Sequence, residues 1–330
     1  MTILSAAAAA LAWLGRQGTR AIAALVFIGL AAPPLDALLK PYVAEAIFVL
    51  LCIAFLRLDV AALRGYLRRP GLVLAATAWT TFVVPLIFGG ACLAFGVPAQ
   101  SGDLLLSLML QAAAPPMMAA PAFAALMGLD ATLVLATLVA SAVLTPVTAP
   151  TFAYLFVGPA LTLSPLDLGV RLLAILAGAA MVAAVLRRVI GTANLVRHAA
   201  EIDGLNILVV FVFVASVMEN VAARFRDTPG EMLQLLALAF AISIALLIIT
   251  TLVFAKAGRE RALALGFMAS QRNLGLMLAA TGGALPELAW LYFALSQFPI
   301  YLSPQLLKPV ARHVVGRPRA TAGGRTVQNS

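Results

Sequence analysis

Arg272 stands in the middle of an apolar stretch, in the run Ser270-Gln271-Arg272-Asn273-Leu274-Gly275. An arginine at the centre of a membrane helix costs at least about 2.5 to 3.5 kcal/mol on insertion scales, so such a charge is expected to have a use. Its guanidinium presents five donors in a planar fork that fits a carboxylate or phosphate bidentately. Ser270, Gln271 and Asn273 surround it with neutral hydrogen-bonding groups, and Gly275 lets another backbone approach closely. Two readings follow from the residue type: an anion-binding or gating cation, or a structural partner of Glu219, Glu45 or a row of carbonyls.

A second irregular stretch, Gln111-Ala-Ala-Ala-Pro115-Pro116-Met-Met-Ala-Ala-Pro121, lies earlier in the chain. Pro115, Pro116 and Pro121 each remove a backbone donor, so a helix through them is expected to lose part of its hydrogen-bond ladder. Freed carbonyls at membrane depth are tolerated only where protein or a water-lined cavity satisfies them. The break is therefore a candidate substrate path, with a packed proline kink as the alternative. Glu45 and Glu219, the latter beside Asn220, are acidic groups at membrane depth that could carry protons; Glu219 equally fits an interfacial pair with Arg224. Gln297, followed by Pro299 and Pro304, is a further candidate for lining a cavity. Trp13, Trp79 and Trp290 suit interfacial anchoring. Cys52 and Cys92 fall inside predicted helices, and His198 and His313 lack metal-ligand spacing, so neither a disulfide framework, a metal site nor a cofactor is expected.

The elements that must carry these residues are membrane helices. The chain has 330 residues, 63% apolar and 11% charged, and a mean hydropathy of +1.04, whereas soluble domains are about a quarter charged. Stretches such as Ile207 to Ala215 are apolar nearly all round, which argues against the alternation of a transmembrane barrel. Punctuation by proline, glycine and charge predicts ten helices, at about 21–39, 42–57, 71–97, 103–127, 131–158, 167–189, 204–222, 232–255, 261–283 and 287–309. These make an all-α polytopic membrane protein, a single transmembrane domain over 1–330 with a short tail at 311–330. Met1 to Leu14 is expected to be an interfacial or frayed start.

The net charge of +9 would suggest nucleic acid in a soluble protein, but in a membrane protein its placement matters more, and no nucleic-acid partner is expected. With a cytoplasmic amino terminus, all Lys and Arg except Lys40, Arg171, Arg224, Arg226 and the intramembrane Arg272 fall on one side. Both termini are thus predicted to be cytoplasmic, in the inner membrane. Ten helices divide into two inverted five-helix repeats, about 21–158 and 167–309, a frequent layout of secondary transporters. The two irregular helices, four and nine, occupy corresponding places in the two halves.

Residues 68 to 89, from Arg-Arg-Pro-Gly through Val-Pro-Leu to Gly89, together with 115 to 158, notably Leu144-Thr-Pro-Val-Thr-Ala-Pro150, and Arg261 to Leu276, closing on Asn273-Leu-Gly-Leu276, resemble the bile acid:sodium symporter superfamily. The resemblance implies panel and core domains, the core containing broken, crossing helices four and nine. It also implies sodium ligands at places where this chain carries Ala120, Pro121, Val134 and Leu138, and a ninth-helix glutamate where it carries Gly266 or Met268. No acidic residue occurs from Arg261 to Leu285, so sodium coupling is not expected. The expected activity is secondary transport of a small organic anion by alternating access, coupled to protons or to an exchanged anion, with the lipid bilayer as surroundings. An arsenite or other metabolite permease of the same superfamily is the rival within the class. A membrane enzyme or a ligand sensor is the rival outside it, and no enzyme chemistry is expected because no protease dyad, metal pair or phosphate loop is visible.

Overall fold

Helix starts in this chain are written in small residues and prolines. Ser101, Asp130 and Ser164 each accept a hydrogen bond from a first-turn amide, at 3.2, 3.0 and 3.0 Å, which satisfies a donor the helix itself cannot. Pro165 and Pro229 occupy the first turn, where a missing N–H has no cost. Gly128, at φ 77°, ends a helix in the left-handed region that other residues adopt with strain.

A computed structural model describes residues 3–18, 21, 24, 27–28, 38–58, 70–158, 163–218 and 221–315. The helices are α1 Ile3–Gln17, α2 Val43–Leu56, α3 Pro70–Ala78, α4 Val84–Ala94, α5 Val97–Gln100, α6 Gly102–Ala113, α7 Ala120–Met127, α8 Ala131–Val157, α9 Pro165–Ile190, α10 Thr192–Arg197, α11 Ala199–Val217, α12 Val221–Asp227, α13 Pro229–Val253, α14 Arg259–Ser270, α15 Leu274–Ala280 and α16 Glu287–Val315. A widened π turn, Trp79–Val83, joins α3 to α4 without interrupting the rod.

Among the described residues, five stretches are long and apolar enough to cross a bilayer: Pro70–Ala94, Ala131–Val157, Pro165–Ile190, Ala199–Asp227 and Pro229–Val253. Their outward faces fit that setting. On α13, Leu233, Ile244, Ile248, Ile249, Leu252 and Val253 are all exposed, a continuous apolar surface that water would not tolerate and lipid does. The protein is an all-α membrane protein.

With lipid outside, helices associate through close packing rather than expulsion of water, and glycine permits the closest approach. A Cβ on Gly204 of α11 would overlap the Leu11 carbonyl of α1, and one on Gly15 would overlap the Ala200 carbonyl. The reciprocal order, 11 against 204 and 15 against 200, sets the two helices antiparallel. Over its described part the segment up to Leu14 is therefore helix, packed on α11 at Leu11 and so not frayed there; the interfacial alternative is compatible with the exposure of residues 5–10. Gly266 of α14 lies as tightly against α13, where a Cβ would stand 2.6 Å from the Leu247 carbonyl oxygen. Position 266 thus has no room for any side chain, let alone a glutamate.

Polar side chains close the helix ends. Arg187 of α9 donates through Nη2 to the carbonyls of Phe55, Leu56 and Leu58 at 3.1, 2.6 and 2.9 Å, holding the carboxyl end of α2, where the Phe55 carbonyl also accepts from the Leu58 N–H at 3.2 Å and the carbonyls beyond it have no helical partner. Arg224 pairs with Glu287, tying α12 to the start of α16. Glu219, the partner of Arg224 that the sequence allows, and Asn220 lie outside the described residues.

Candidate functional site

The expected irregularities are real, and they meet. Between α6 and α7 the chain leaves the helix at Ala114, whose φ of −61° and ψ of 143° are extended. Between α14 and α15 it does so at Gln271, with φ −97° and ψ 86°. The Met117 N–H donates to the Gln271 carbonyl at 2.6 Å and the Asn273 N–H donates to the Pro115 carbonyl at 2.9 Å. Pro116 and Arg272 thereby form an isolated antiparallel bridge. Pro115 and Pro116 have no amide hydrogen to satisfy, so the first break needs an acceptor only from Met117 onward, and the second break supplies it. Each interruption is the other's hydrogen-bond partner, which answers the requirement for satisfied backbone away from water.

Arg272 braces this pairing from the side. Its Nη1 donates to the Ala114 carbonyl at 2.9 Å and to the Thr80 carbonyl at 3.3 Å. The second acceptor has a sequence cause. In the π turn the Val84 N–H is taken by the Trp79 carbonyl, and the next nitrogen along is Pro85, which carries no hydrogen. The Thr80 carbonyl thus has no donor on its own helix, and Arg272 provides one from elsewhere in the chain. Thr80 and Ser141 of α8 share a hydroxyl contact of 3.1 Å. The structural partner of Arg272 is therefore a pair of carbonyls; among the described residues no ion pair reaches it.

A cavity of about 790 Å³ lies beside the crossing. On one side it is walled by Met117, Met118 and Pro121 with Asn273 and Gly275, and on the other by residues of α1, α2 and α11. Ile47, Leu51, Ile207 and Phe213 make most of that second wall apolar, while Arg16, Arg57, Asp203 and Asn206 make one end polar. Arg57 and Asp203 form an ion pair there. The size falls within the range of small-molecule sites, about 300 to 1,000 Å³.

The sequence-derived candidates separate accordingly. Asn273 lines the cavity and its Oδ1 accepts from the Leu276 N–H at 3.0 Å, capping α15. Pro121 also lines the cavity, but it occupies the first turn of α7, so it starts a helix and is not part of the break. Arg272, Gln271, Ser270, Pro115 and Pro116 are at the crossing and are absent from the cavity wall. Arg272 is 1% exposed. Ser270 donates to the Phe267 carbonyl at 2.7 Å and receives the Gln271 amide at 3.1 Å.

Gln111 accepts from the buried hydroxyl of Tyr292, and Gln297 donates to the Phe293 carbonyl of its own helix at 2.9 Å. Neither faces the cavity. Glu45 stands exposed in the first turn of α2, away from the cavity wall. Trp79, expected as an interfacial anchor, donates to the Thr250 hydroxyl at 2.9 Å. Its neighbour Thr80, the Tyr292 hydroxyl and the Arg57–Asp203 pair were missed by sequence reasoning. Pro85 was the one available signal for the Thr80 carbonyl. Compared with protein-family models and with characterised proteins, the chain matches none.

Proposed function

We propose that this membrane protein is a secondary transporter that moves an organic anion across the inner membrane by alternating access, the cavity beside the paired breaks being its substrate site. One observation carries the reading: two interrupted helices satisfy each other's backbone and leave a polar capping residue, Asn273, on the wall of a cavity of about 790 Å³. Broken helices beside a central cavity are the usual construction of transporter sites. In the same reading the chain forms ten spans in two inverted repeats with both ends cytoplasmic. The walls from α1, α2 and α11 act as panel and those from the breaks and α8 as core, in keeping with the resemblance to the bile acid:sodium symporter superfamily.

Substrate charge would be met at the polar end by Arg16 and Arg57 and at the crossing by Asn273, with the apolar walls taking the rest of the molecule. Arg272 holds the crossing together as a fixed cation, the part that bound sodium would play. Protons or a second anion would supply coupling. A thiol-seeking arsenite site is disfavoured because Cys52 and Cys92 are buried in helices and neither lines the cavity.

The test is uptake of a panel of radiolabelled organic anions into proteoliposomes, with and without sodium and proton gradients. Uptake that persists without sodium and stops in Arg272→Gln, with normal insertion of that variant, is the expected result. Strict dependence on a sodium gradient, or full activity in Arg272→Gln, overturns it.

A further inference from the structure

Five side-chain atoms among the described residues are buried with no hydrogen-bond partner: Thr77 Oγ1, Thr137 Oγ1, Gln271 Oε1, and Nε and Nη2 of Arg272. They are not scattered. Gln271 and Arg272 are adjacent in the second break. Thr77 lies one turn before Thr80, whose carbonyl accepts from Arg272. Thr137 lies one turn before Ser141, whose hydroxyl contacts that of Thr80. Every orphan thus falls in the second break itself or within one turn of a residue linked to Arg272, directly through the Thr80 carbonyl or through the Thr80–Ser141 contact.

Four of the five can donate. The two arginine nitrogens are donors only, and the threonine hydroxyls can donate. The Gln271 oxygen is an acceptor; turning the amide by 180° presents a donor instead, at the expense of the Ser270 bond to the Phe267 carbonyl, since the one hydroxyl proton then goes to Gln271. A metal cation is refused by the guanidinium. A large anion is refused by burial, since Arg272 is 1% exposed and absent from the cavity wall. There is also an uncompensated charge. An ion taken out of water costs several kcal/mol unless it is paired, and no carboxylate among the described residues pairs with Arg272.

The geometry points to an occluded site for one small monovalent inorganic anion of chloride size, held by Nε and Nη2 of Arg272 with Thr77, Thr137 and Gln271 as neutral donors. The anion completes the guanidinium's hydrogen bonds and offsets the cost of burying its charge, while Nη1 goes on bracing the crossing through the Ala114 and Thr80 carbonyls. The site is separate from the large cavity and does not depend on what that cavity carries.

The test uses the full chain purified in detergent and exchanged into gluconate at constant ionic strength. Chloride is then titrated while the melting temperature is followed, and binding of radioactive chloride is measured alongside. Expected are a saturable rise in melting temperature and one chloride per chain; at a chloride concentration ~100 times Kd the folding equilibrium constant rises about 100-fold. Arg272→Gln is expected to lose both responses. Thr137→Val, which keeps the volume and removes one donor to a charged ligand, is expected to weaken chloride binding about tenfold. If Arg272→Gln does not fold, Thr137→Val and Thr77→Val in folded protein carry the test, and unchanged Kd in both counts against the site. A folded wild type that melts independently of chloride and binds none shows that water alone fills the site and overturns the proposal. A wild-type chloride response retained in Arg272→Gln overturns it as well.

Discussion

Asn273 has two separable duties, and three substitutions divide them. Its Oδ1 caps α15 by accepting from the Leu276 N–H at 3.0 Å, while the same residue lines the cavity. Asn273→Ala removes the cap, which is worth about 1 kcal/mol, a roughly fivefold fall in the folding constant. Asn273→Ser keeps a capping oxygen and loses only the amide. Asn273→Asp caps as well as asparagine and suits the positive end of the helix, so the folded protein is expected to survive, but it places a carboxylate on the cavity wall. At ~5 Å from a bound anion, with an effective dielectric constant of ~20, that repulsion is about 3 kcal/mol, a more than hundredfold loss of affinity. Melting in detergent reads the first duty and proteoliposome uptake reads the second. A folded Asn273→Asp protein that takes up the anion at the wild-type rate refutes the placement of negative charge beside the crossing. Equal melting of Asn273→Ala and wild type refutes the capping argument.

Tyr292→Phe strands the Gln111 oxygen in a buried site and is expected to cost about 1 to 3 kcal/mol by thermal melting. Adding Gln111→Leu should return most of it, whereas simple additivity of the two changes means that the contact is not coupled. Arg187→Ala releases three carbonyls at the end of α2 and should destabilise by about 1.5 to 3 kcal/mol, with partial rescue by Arg187→Lys. Pro85→Ala returns an N–H to the position after Val84, so it should lessen the cost of Arg272→Gln by about 1 kcal/mol in a double-mutant cycle. Additive effects there mean that the Thr80 carbonyl does not depend on Arg272.

Helix class and most helix positions were legible because apolar runs and their proline, glycine and charge boundaries act locally. Ser101, Asp130 and Ser164 are caps three residues away from what they cap. The two breaks were legible for the same reason: Pro115 and Pro116 forbid a ladder wherever the chain goes. What the breaks do with their freed groups is a contact between positions about 155 residues apart, and no local rule carries it. Pro121 was misassigned to the break because a proline at a first turn and a proline at an interruption look alike without the helix start in hand. Arg272 was singled out by its charge, but its direction is set by the Thr80 carbonyl, which only the π turn and Pro85 together leave unpaired. Glu45 drew notice as an acid in an apolar run, and its exposure depends on which face of α2 meets its neighbours.

The pairing of the breaks also constrains how the transport reading can work. The bonds at the crossing join α6 and α7 to α14 and α15, all on one side of the cavity, and Arg272 adds the π turn to that group. On the other side, α1 and α11 interlock through Gly15 and Gly204 with backbone against backbone. Separating the breaks would leave main-chain groups unsatisfied in lipid at several kcal/mol each, while α1 and α11, whose backbones keep their own helical bonds, would lose their close packing. The surfaces facing each other across the cavity are different in kind: apolar side chains over most of their area, and at the polar end the Arg57–Asp203 pair, which joins α11 to the end of α2 within one wall. Side chains that meet through dispersion alone can slide with little loss, since any new arrangement offers similar contacts. Movement is therefore confined to the seam between the walls. On the proposed transport reading, an alternating-access cycle would leave the crossing intact and shift it as a rigid piece past α2 and α11.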